Sequence, residues 1–205
     1  MTWIKTLSFA NATGKLRQLY ERVVGPDGNV DNILAAHSLR PHTLEGHMAL
    51  YKHVLHHHAN TVPKWFLEAI GVQVSLLNAC AYCVEHHAAG LARLIGDEGR
   101  ARAMRAELER GGPDADGESL FDAAQRAALD YSARLTREPA AVEQAQVARL
   151  REAGWSDGEV LEINQVTAYF AYANRTVLGL GVNTEGDVLG MSPGNSSDPN
   201  DWGHA

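Results

Sequence analysis

Residues 65–77, WFLEAIGVQVSLL, are the segment that most constrains how this chain can fold. The segment is apolar nearly all round when drawn as a helix, and Pro63 just before it suits a first helical turn. Such a helix must be covered by other elements, so it predicts the centre of a bundle. Glu68 is its only charged residue, and a buried carboxylate is costly unless it has a partner or a task. Glu68 is therefore a candidate functional residue, the alternative being a solvated carboxylate near the helix start.

The other periodic segments are helical as well. Asp31 is placed to cap a short helix, and Pro41 suits the first turn of the next one. Ser156 and Glu159 match a capping box that opens a long helix ending near Gly181. No convincing alternating strand is present, so the predicted class is all-α.

Composition limits the classes of partner and location. The 205 residues are 45% hydrophobic, enough for one domain with a real core, and the formal net charge is −7. An acidic chain argues against nucleic acid, which calls for clustered Lys and Arg. No apolar run of about 18 residues is present, so no membrane span is expected. The start, MTWIKTLSFANATGK, lacks a signal core, and a cytoplasmic location is expected.

Cys80 and Cys83 are the only cysteines, and His87 follows four positions after the second. This spacing places all three on one helix face. In a reducing compartment such a pair is more often catalytic or metal-binding than structural. With Asn78 as N-cap, the cysteines lie in the N-terminal part of a buried helix, where the dipole favours a thiolate. An inward Glu68 touching His87 would form a relay that removes the thiol proton.

Two other interpretations of the cysteines stay open. Both could be buried structural residues. They could also bind zinc with His87 and a fourth ligand from residues 56–58, HHH, although a helix supplies awkward tetrahedral geometry. Consecutive helical residues point in different directions, so the HHH run is expected to be the surface end of a helix. The redox interpretation needs no metal.

The neighbours of the motif are weaker candidates. His86 faces about 100° away from His87 and is not expected to act as the relay histidine. Tyr82 lies between the cysteines and could line the substrate approach to them. Four further histidines have no motif support and receive no role: His37, His42, His47 and His53.

The chain divides into four stretches of one helical domain. They are an N-terminal helical segment packed on the core (1–60), a redox core (61–110), a C-terminal helical part (119–185) and a tail (186–205). The clearest loop is 111–118, GGPDADGE. The tail is rich in Gly, Ser, Pro, Asn and Asp, which predicts a flexible or partner-draped segment. The similar segments CVEHHAAGL and AYANRTVLG suggest an internal pseudo-repeat.

These residues resemble a known family. Glu68, Cys80-x-x-Cys83 and His87 look like the signature of the alkylhydroperoxidase D-like branch of the carboxymuconolactone decarboxylase superfamily. The stretch SLLNACAYCVEHHAAGL is the most specific part of the likeness. The flanks AHSLRPHTLEGHMALY, LDYSARLTREP and YANRTVLGLGV resemble longer, uncharacterised peroxidase-related members, so the likeness covers most of residues 1–185.

The resemblance implies an all-helical bundle that assembles into homotrimers or homohexamers. It implies an antioxidant peroxidase acting on a small hydroperoxide, without haem, flavin or metal. An external dithiol, such as a lipoyl or thioredoxin-like protein, would be the electron donor. Carried over by residue, Cys83 would attack the peroxide, Cys80 would resolve, and Glu68 with His87 would relay the proton. Tyr82 departs from the family pattern, which has His there, and tyrosine supplies no base near neutral pH.

Two alternative functions remain at this point. The pair could reduce the disulfide of a peroxiredoxin partner and barely touch peroxide itself. The chain could instead be a non-catalytic oligomeric module that holds zinc in a structural Cys/His site.

Overall fold

A computed structural model describes residues 2–25, 28–112 and 118–204. Within these ranges the chain forms α-helices and no strand, which confirms the all-α prediction. The α-helices are α1 (Gly14–Val23), α2 (Asn32–Ala35), α3 (Pro41–Leu55), α4 (Lys64–Leu77), α5 (Ala81–Ile95), α6 (Glu98–Arg110), α7 (Ala123–Arg137), α8 (Gln144–Glu152) and α9 (Asp157–Leu180). No helix of the described ranges is both long and apolar enough to cross a bilayer.

Helix α4 is the central element, as its all-round apolar sequence predicts. It packs against α5, α9, α7 and α6, and its Phe66, Ile70 and Val74 side chains are fully buried. Its Glu68 is also buried, so the alternative of a solvated carboxylate is wrong. Burial on every face makes α4 the scaffold that fixes the neighbouring helices.

The packing of α4 on α9 depends on Gly71. A Cβ at this position would lie 2.2 Å from two atoms of the Phe170 ring, which is itself fully buried. We expect Gly71→Ala to lower the free energy of unfolding by about 1–2 kcal/mol, because the clash outweighs the better helix propensity of alanine. Gly46→Ala is the control, since Gly46 lies in α3 with nothing within 4 Å, and should stabilise by about 0.5–1 kcal/mol. Urea unfolding measures both; equal shifts in the two variants would contradict the close approach.

Most predicted helix boundaries are confirmed. Pro41 is in the first turn of α3, and Ser156 and Glu159 form the capping box of α9. Pro63 is at the N-cap of α4, one position earlier than predicted. The predicted loop 111–118 follows α6, but residues 113–117 of it lie outside the described residues.

The turn from α4 to α5 corrects one prediction. Asn78 is not the N-cap of α5; it ends α4, and Cys80 is the N-cap. Between them Ala79 has a φ of 55°, the one positive value at a non-glycine residue in the described chain. This left-handed residue reverses the chain within two positions, so the cap moves beyond Asn78. The Asn78 amide instead donates to Asn174 Oδ1 of α9 at 2.9 Å.

Residues 182–204 fold back over the helices of their own chain. The fully buried Lys52 of α3 donates to the Gly194 carbonyl and to Ser196 Oγ. Trp202 is buried under the Arg22 guanidinium, which lies 3.5 Å from its ring centroid. A flexible or partner-draped tail was expected from composition, whereas the described part of it packs on α1 and α3. Buried donors and an aromatic anchor outweigh the loop-forming composition here.

Candidate active site

The two cysteines meet at the start of α5. Their sulfurs are 2.9 Å apart and both thiols are free. Cys80 at the N-cap is fully buried, and Cys83 in the first turn is 3% exposed. A disulfide requires about 2.05 Å between sulfurs, so a sub-ångström shift would close the bond. The spacing predicted from sequence therefore gives sulfurs that face each other.

Contact between the thiols couples their ionisation. A hydrogen bond from Cys83 lowers the pKa of Cys80, and burial opposes this shift. The same contact, together with burial, raises the pKa of Cys83. The pair thus loses a first proton more easily than a second, and the remaining proton lies between the sulfurs. The start of α5 adds its dipole in favour of the thiolate.

Glu68 and His87 form the predicted acid–imidazole pair. His87 Nδ1 is 2.6 Å from Glu68 Oε2, and the carboxylate is almost fully buried. Gly90 permits this approach, because a Cβ there would lie 3.3 Å from the Glu68 carboxyl group. The His87 ring meets Phe170 edge-on at 4.5 Å between centroids. The hydrogen bond to Glu68 and the edge-on contact with Phe170 therefore orient the imidazole.

His56 differs from the prediction that residues 56–58, HHH, form the surface end of a helix. It is 4% exposed rather than at the surface, and its Nε2 lies 4.0 Å from Glu68 Oε1. Burial, reinforced by His87, holds the pKa of His56 well below its usual value, so the ring is neutral. His56 ends α3 at its C-cap, where the chain turns and the ring packs on Tyr51. Helical direction alone could not place it, because the helix stops there.

The alternative zinc site would need a fourth ligand from residues 56–58 beside Cys80, Cys83 and His87. In residues 2–25, 28–112 and 118–204, no group of three or more His, Cys, Asp and Glu side chains is placed to hold a metal ion. Within the same HHH run, His58 is exposed. His56, the buried member, faces Glu68.

A cavity of about 40 Å³ joins these groups. Cys83, Glu68 and His87 line it, whereas Cys80 does not. Tyr82, predicted to line the approach, is also in its wall. Such a volume holds on the order of three water-sized molecules. Of the two sulfurs, Cys83 is the one that a small molecule in the cavity can reach.

Sequence reasoning missed a second carboxylate–imidazole group, formed by Asp187 with His86, which itself lines the cavity. Asp187, with 2% of its side chain exposed, accepts a hydrogen bond from the Tyr82 hydroxyl at 2.7 Å. His86 Nε2 is 3.2 Å from the same oxygen. Burial and the Asp187 charge raise the pKa of Tyr82 well above its usual value. The signal was hidden because Asp187 lies in a stretch that composition marks as a loose tail.

Asp187 also displaces a predicted cap. Asp31 is at the N-cap of α2, but its side chain makes no capping hydrogen bond. The backbone N–H of Asn32 is instead 3.1 Å from both carboxylate oxygens of Asp187. Asp31 is left to line the cavity, with His204 Nε2 at 3.9 Å. His47, which received no role from sequence, lines the cavity too, and burial lowers its pKa to about 3.

Asp31 predicts a pH-dependent stability. Burial raises the pKa of Asp31 from 3.8 to about 6, so the folded state binds this proton more tightly than the unfolded state does. The stability gained from protonated Asp31 is complete below pH 4 and is lost as the pH rises through 6. We therefore expect Asp31→Asn to exceed wild type in unfolding free energy by up to about 3 kcal/mol at pH 8, and to match it below pH 4. Urea unfolding across this range measures the difference; one that is largest at low pH would contradict the assignment.

Comparison with known proteins bears on the fold. No protein-family model matches the sequence, and no curated protein matches it. A peroxidase-related protein from Ralstonia eutropha JMP134, described as an alkylhydroperoxidase AhpD core, has a TM-score of 0.75 and 24% identity, over 92% of this chain and 96% of its own. An uncharacterised peroxidase-related protein from Silicibacter sp. TM1040 has a TM-score of 0.73 and 27% identity, over 91% of this chain and 95% of its own.

A third similar structure carries a different activity. The debrominase Bmp8 has a TM-score of 0.69 and 18% identity, over 87% of this chain and 89% of its own. At that identity the likeness shows the fold alone. The two peroxidase-related proteins agree with the resemblance found in the sequence around the cysteines. The chain therefore has the all-helical fold of these peroxidase-related proteins, one of which is described as an alkylhydroperoxidase AhpD core.

Proposed function

We propose that this protein is a thiol-dependent hydroperoxide reductase in which Cys83 attacks the peroxide and Cys80 resolves the product. One observation carries the proposal: sulfurs 2.9 Å apart, one of which lines a cavity shared with the Glu68–His87 pair. The names of the peroxidase-related structures support the same class of reaction. Access selects Cys83 as the attacking sulfur, because the cavity does not reach Cys80.

The proposed reaction has two chemical steps. The Cys83 thiolate attacks the distal oxygen of the hydroperoxide; an S–O bond forms, the O–O bond breaks, and the leaving oxygen takes a proton to give water or an alcohol. The Cys80 sulfur then displaces hydroxide from the Cys83 sulfenic acid, which yields a disulfide and water. The sum is two thiols and one hydroperoxide converted to one disulfide, one alcohol or water, and one water.

Glu68 and His87 serve as the proton relay in this proposal. The imidazole accepts the thiol proton and returns it to the leaving oxygen, while the carboxylate fixes the ring and stabilises its charged form. Their 2.6 Å contact and their place in the cavity wall support this role. The proposed cycle uses no metal, haem or flavin.

An external dithiol completes the cycle by reducing the disulfide. A lipoyl or thioredoxin-like protein is the proposed donor, and a homotrimer or homohexamer is the proposed assembly. The alternative is that the pair reduces the disulfide of a peroxiredoxin partner. With sulfurs that are 0% and 3% exposed, that reaction and re-reduction by a protein dithiol both require the cavity wall to move. Direct peroxide consumption in the absence of any peroxiredoxin separates the two functions.

Removing the resolving thiol should trap the intermediate. In Cys80→Ser we expect Cys83 to consume one equivalent of peroxide and then stop as a sulfenic acid. Unfolding the peroxide-treated variant in the presence of dimedone, followed by peptide mass spectrometry, should place the adduct on Cys83, whereas wild type should give little adduct. An unlabelled Cys83 in a variant that still consumes peroxide would contradict the proposed order of the two sulfurs.

The zinc-binding rival has its own test. The proposal expects two titratable thiols per chain and no stoichiometric zinc in the protein as purified under reducing conditions. Metal analysis with a parallel thiol titration measures both quantities. One zinc per chain together with blocked thiols would favour the non-catalytic module.

A further inference from the structure

The cavity has a wall that is separate from its catalytic side. Cys83, Glu68 and His87 come from α4 and α5. The C-terminal segment contributes four further lining residues, which we call the C-terminal wall: Gly190, Met191, Ser192 and His204. None of these four residues belongs to a helix. The size of the cavity therefore depends on where this non-helical segment lies.

The C-terminal wall lies directly on the helix that carries the cysteines. A Cβ on Gly190 would be 3.0 Å from the Ala89 carbonyl carbon and 3.1 Å from the Gly90 nitrogen. Gly190 also has a φ of 80°, a conformation that side chains disfavour. Ser192 accepts a hydrogen bond from Arg93 of the same helix. Backbone contact of this kind leaves no room for substrate to enlarge the site while the wall is in place.

Asp187 fastens this wall to the active-site helix. Its buried carboxylate accepts from Tyr82, contacts His86 and lies on the Asn32 backbone N–H. Tyr82 is between the two cysteines and also accepts from the Ile33 backbone N–H at 3.2 Å. One carboxylate thus joins the segment before the wall to both α5 and α2. Charged hydrogen bonds at a buried site hold such a junction firmly.

We propose that the C-terminal wall, latched by Asp187, makes the enzyme selective for hydrogen peroxide and the smallest alkyl hydroperoxides. This inference rests on the proposed peroxidase function. The 40 Å³ cavity accommodates the two oxygen atoms of hydrogen peroxide but not an aromatic or long-chain hydroperoxide. Asp187 acts as a positioning residue, and Tyr82 is its anchor on the active-site helix.

The test compares hydrogen peroxide with cumene hydroperoxide. Wild type should prefer hydrogen peroxide in kcat/KM, and Asp187→Ala should reduce that preference at least about tenfold, mainly by faster turnover of the bulky substrate. Gly190→Ala should act in the same direction while the contacts of Asp187 are kept, because the added methyl group pushes the C-terminal wall away from Ala89. Glu185→Gln is the matched control, being exposed in the same segment, and should leave the ratio unchanged.

A second readout does not need peroxidase activity. In a Cys80→Ser background only Cys83 remains, and its alkylation by iodoacetamide and by fluorescein maleimide can be compared, each rate divided by that of free cysteine. Intact protein should exclude the maleimide, and Asp187→Ala and Gly190→Ala should admit it. Peroxide inactivity together with size-selective alkylation would overturn the proposed function, but it would support the role of Asp187 in holding the C-terminal wall. Equal access of both reagents to intact protein would overturn the role of Asp187 in holding the C-terminal wall. An unchanged ratio of the two alkylation rates in both folded variants would overturn it too.

Discussion

Cys83→Ser is expected to lower the second-order rate of peroxide consumption by on the order of a thousandfold or more. The serine hydroxyl fits the same cavity wall, so the fold should be kept. It is not ionised near neutral pH and forms no sulfenic acid, so neither step of the cycle can begin. The measurement is hydrogen peroxide consumption with dithiothreitol as the regenerating dithiol, at matched protein concentration.

The same variant tests which sulfur attacks. Cys80 has the lower pKa of the pair, and Cys83 has the access. If access decides, Cys83→Ser is inactive even in a single turnover. Single-turnover peroxide consumption at the wild-type rate in Cys83→Ser, with a sulfenic acid formed on Cys80, would reverse the two roles. Full steady-state activity would remove the thiol pair from the mechanism.

Glu68→Gln is expected to reduce kcat/KM by about 10²–10⁴-fold, the range for removing a general acid–base partner. Glutamine keeps the volume and can still accept a hydrogen bond from His87, so the loss reports the charge. Glutamine cannot balance the positive charge that the His87 ring acquires when it takes the thiol proton, so kcat/KM should fall and its pH dependence should differ from that of wild type. Stopped-flow peroxide oxidation of the reduced protein between pH 5 and pH 9 measures both effects.

Glu85→Gln provides the matched control for Glu68→Gln. Glu85 lies on α5 beside the motif, but its side chain is 43% exposed and paired with Arg105. We expect its rate and pH profile to match wild type, since exposed ion pairs contribute little. If Glu68→Gln has a normal rate at every pH, and urea unfolding shows that the variant is folded, then the buried pair of Glu68 and His87 is structural.

The core of the site was predictable because it is local. Helix periodicity and one short turn fix α4 against α5, so a carboxylate alone in an apolar helix and a histidine after the cysteines can be brought together by inspection. The cap position was not predictable. Asn78 is a good N-cap residue, and only the left-handed turn at Ala79 moves that role to Cys80.

The second side of the site depends on contacts distant in sequence. Asp187 lies over 100 positions after Tyr82 and His86, in a segment without hydrophobic periodicity. No local rule marks an aspartate in a Gly- and Ser-rich stretch as buried, because its burial follows from the donors that it meets. The structure also gives Tyr82 a partner. Where the family pattern has a histidine, this tyrosine anchors the C-terminal segment.

The fate of both thiols after one equivalent of hydrogen peroxide decides whether Cys80 and Cys83 act as a redox pair. The reduced protein is mixed with peroxide, quenched with an alkylating agent and analysed by peptide mass spectrometry, with free cysteine at equal thiol concentration as the rate standard. We expect loss of two thiols per chain and a Cys80–Cys83 disulfide, formed much faster than free cysteine oxidises. Two alkylated thiols with the peroxide still present would contradict it.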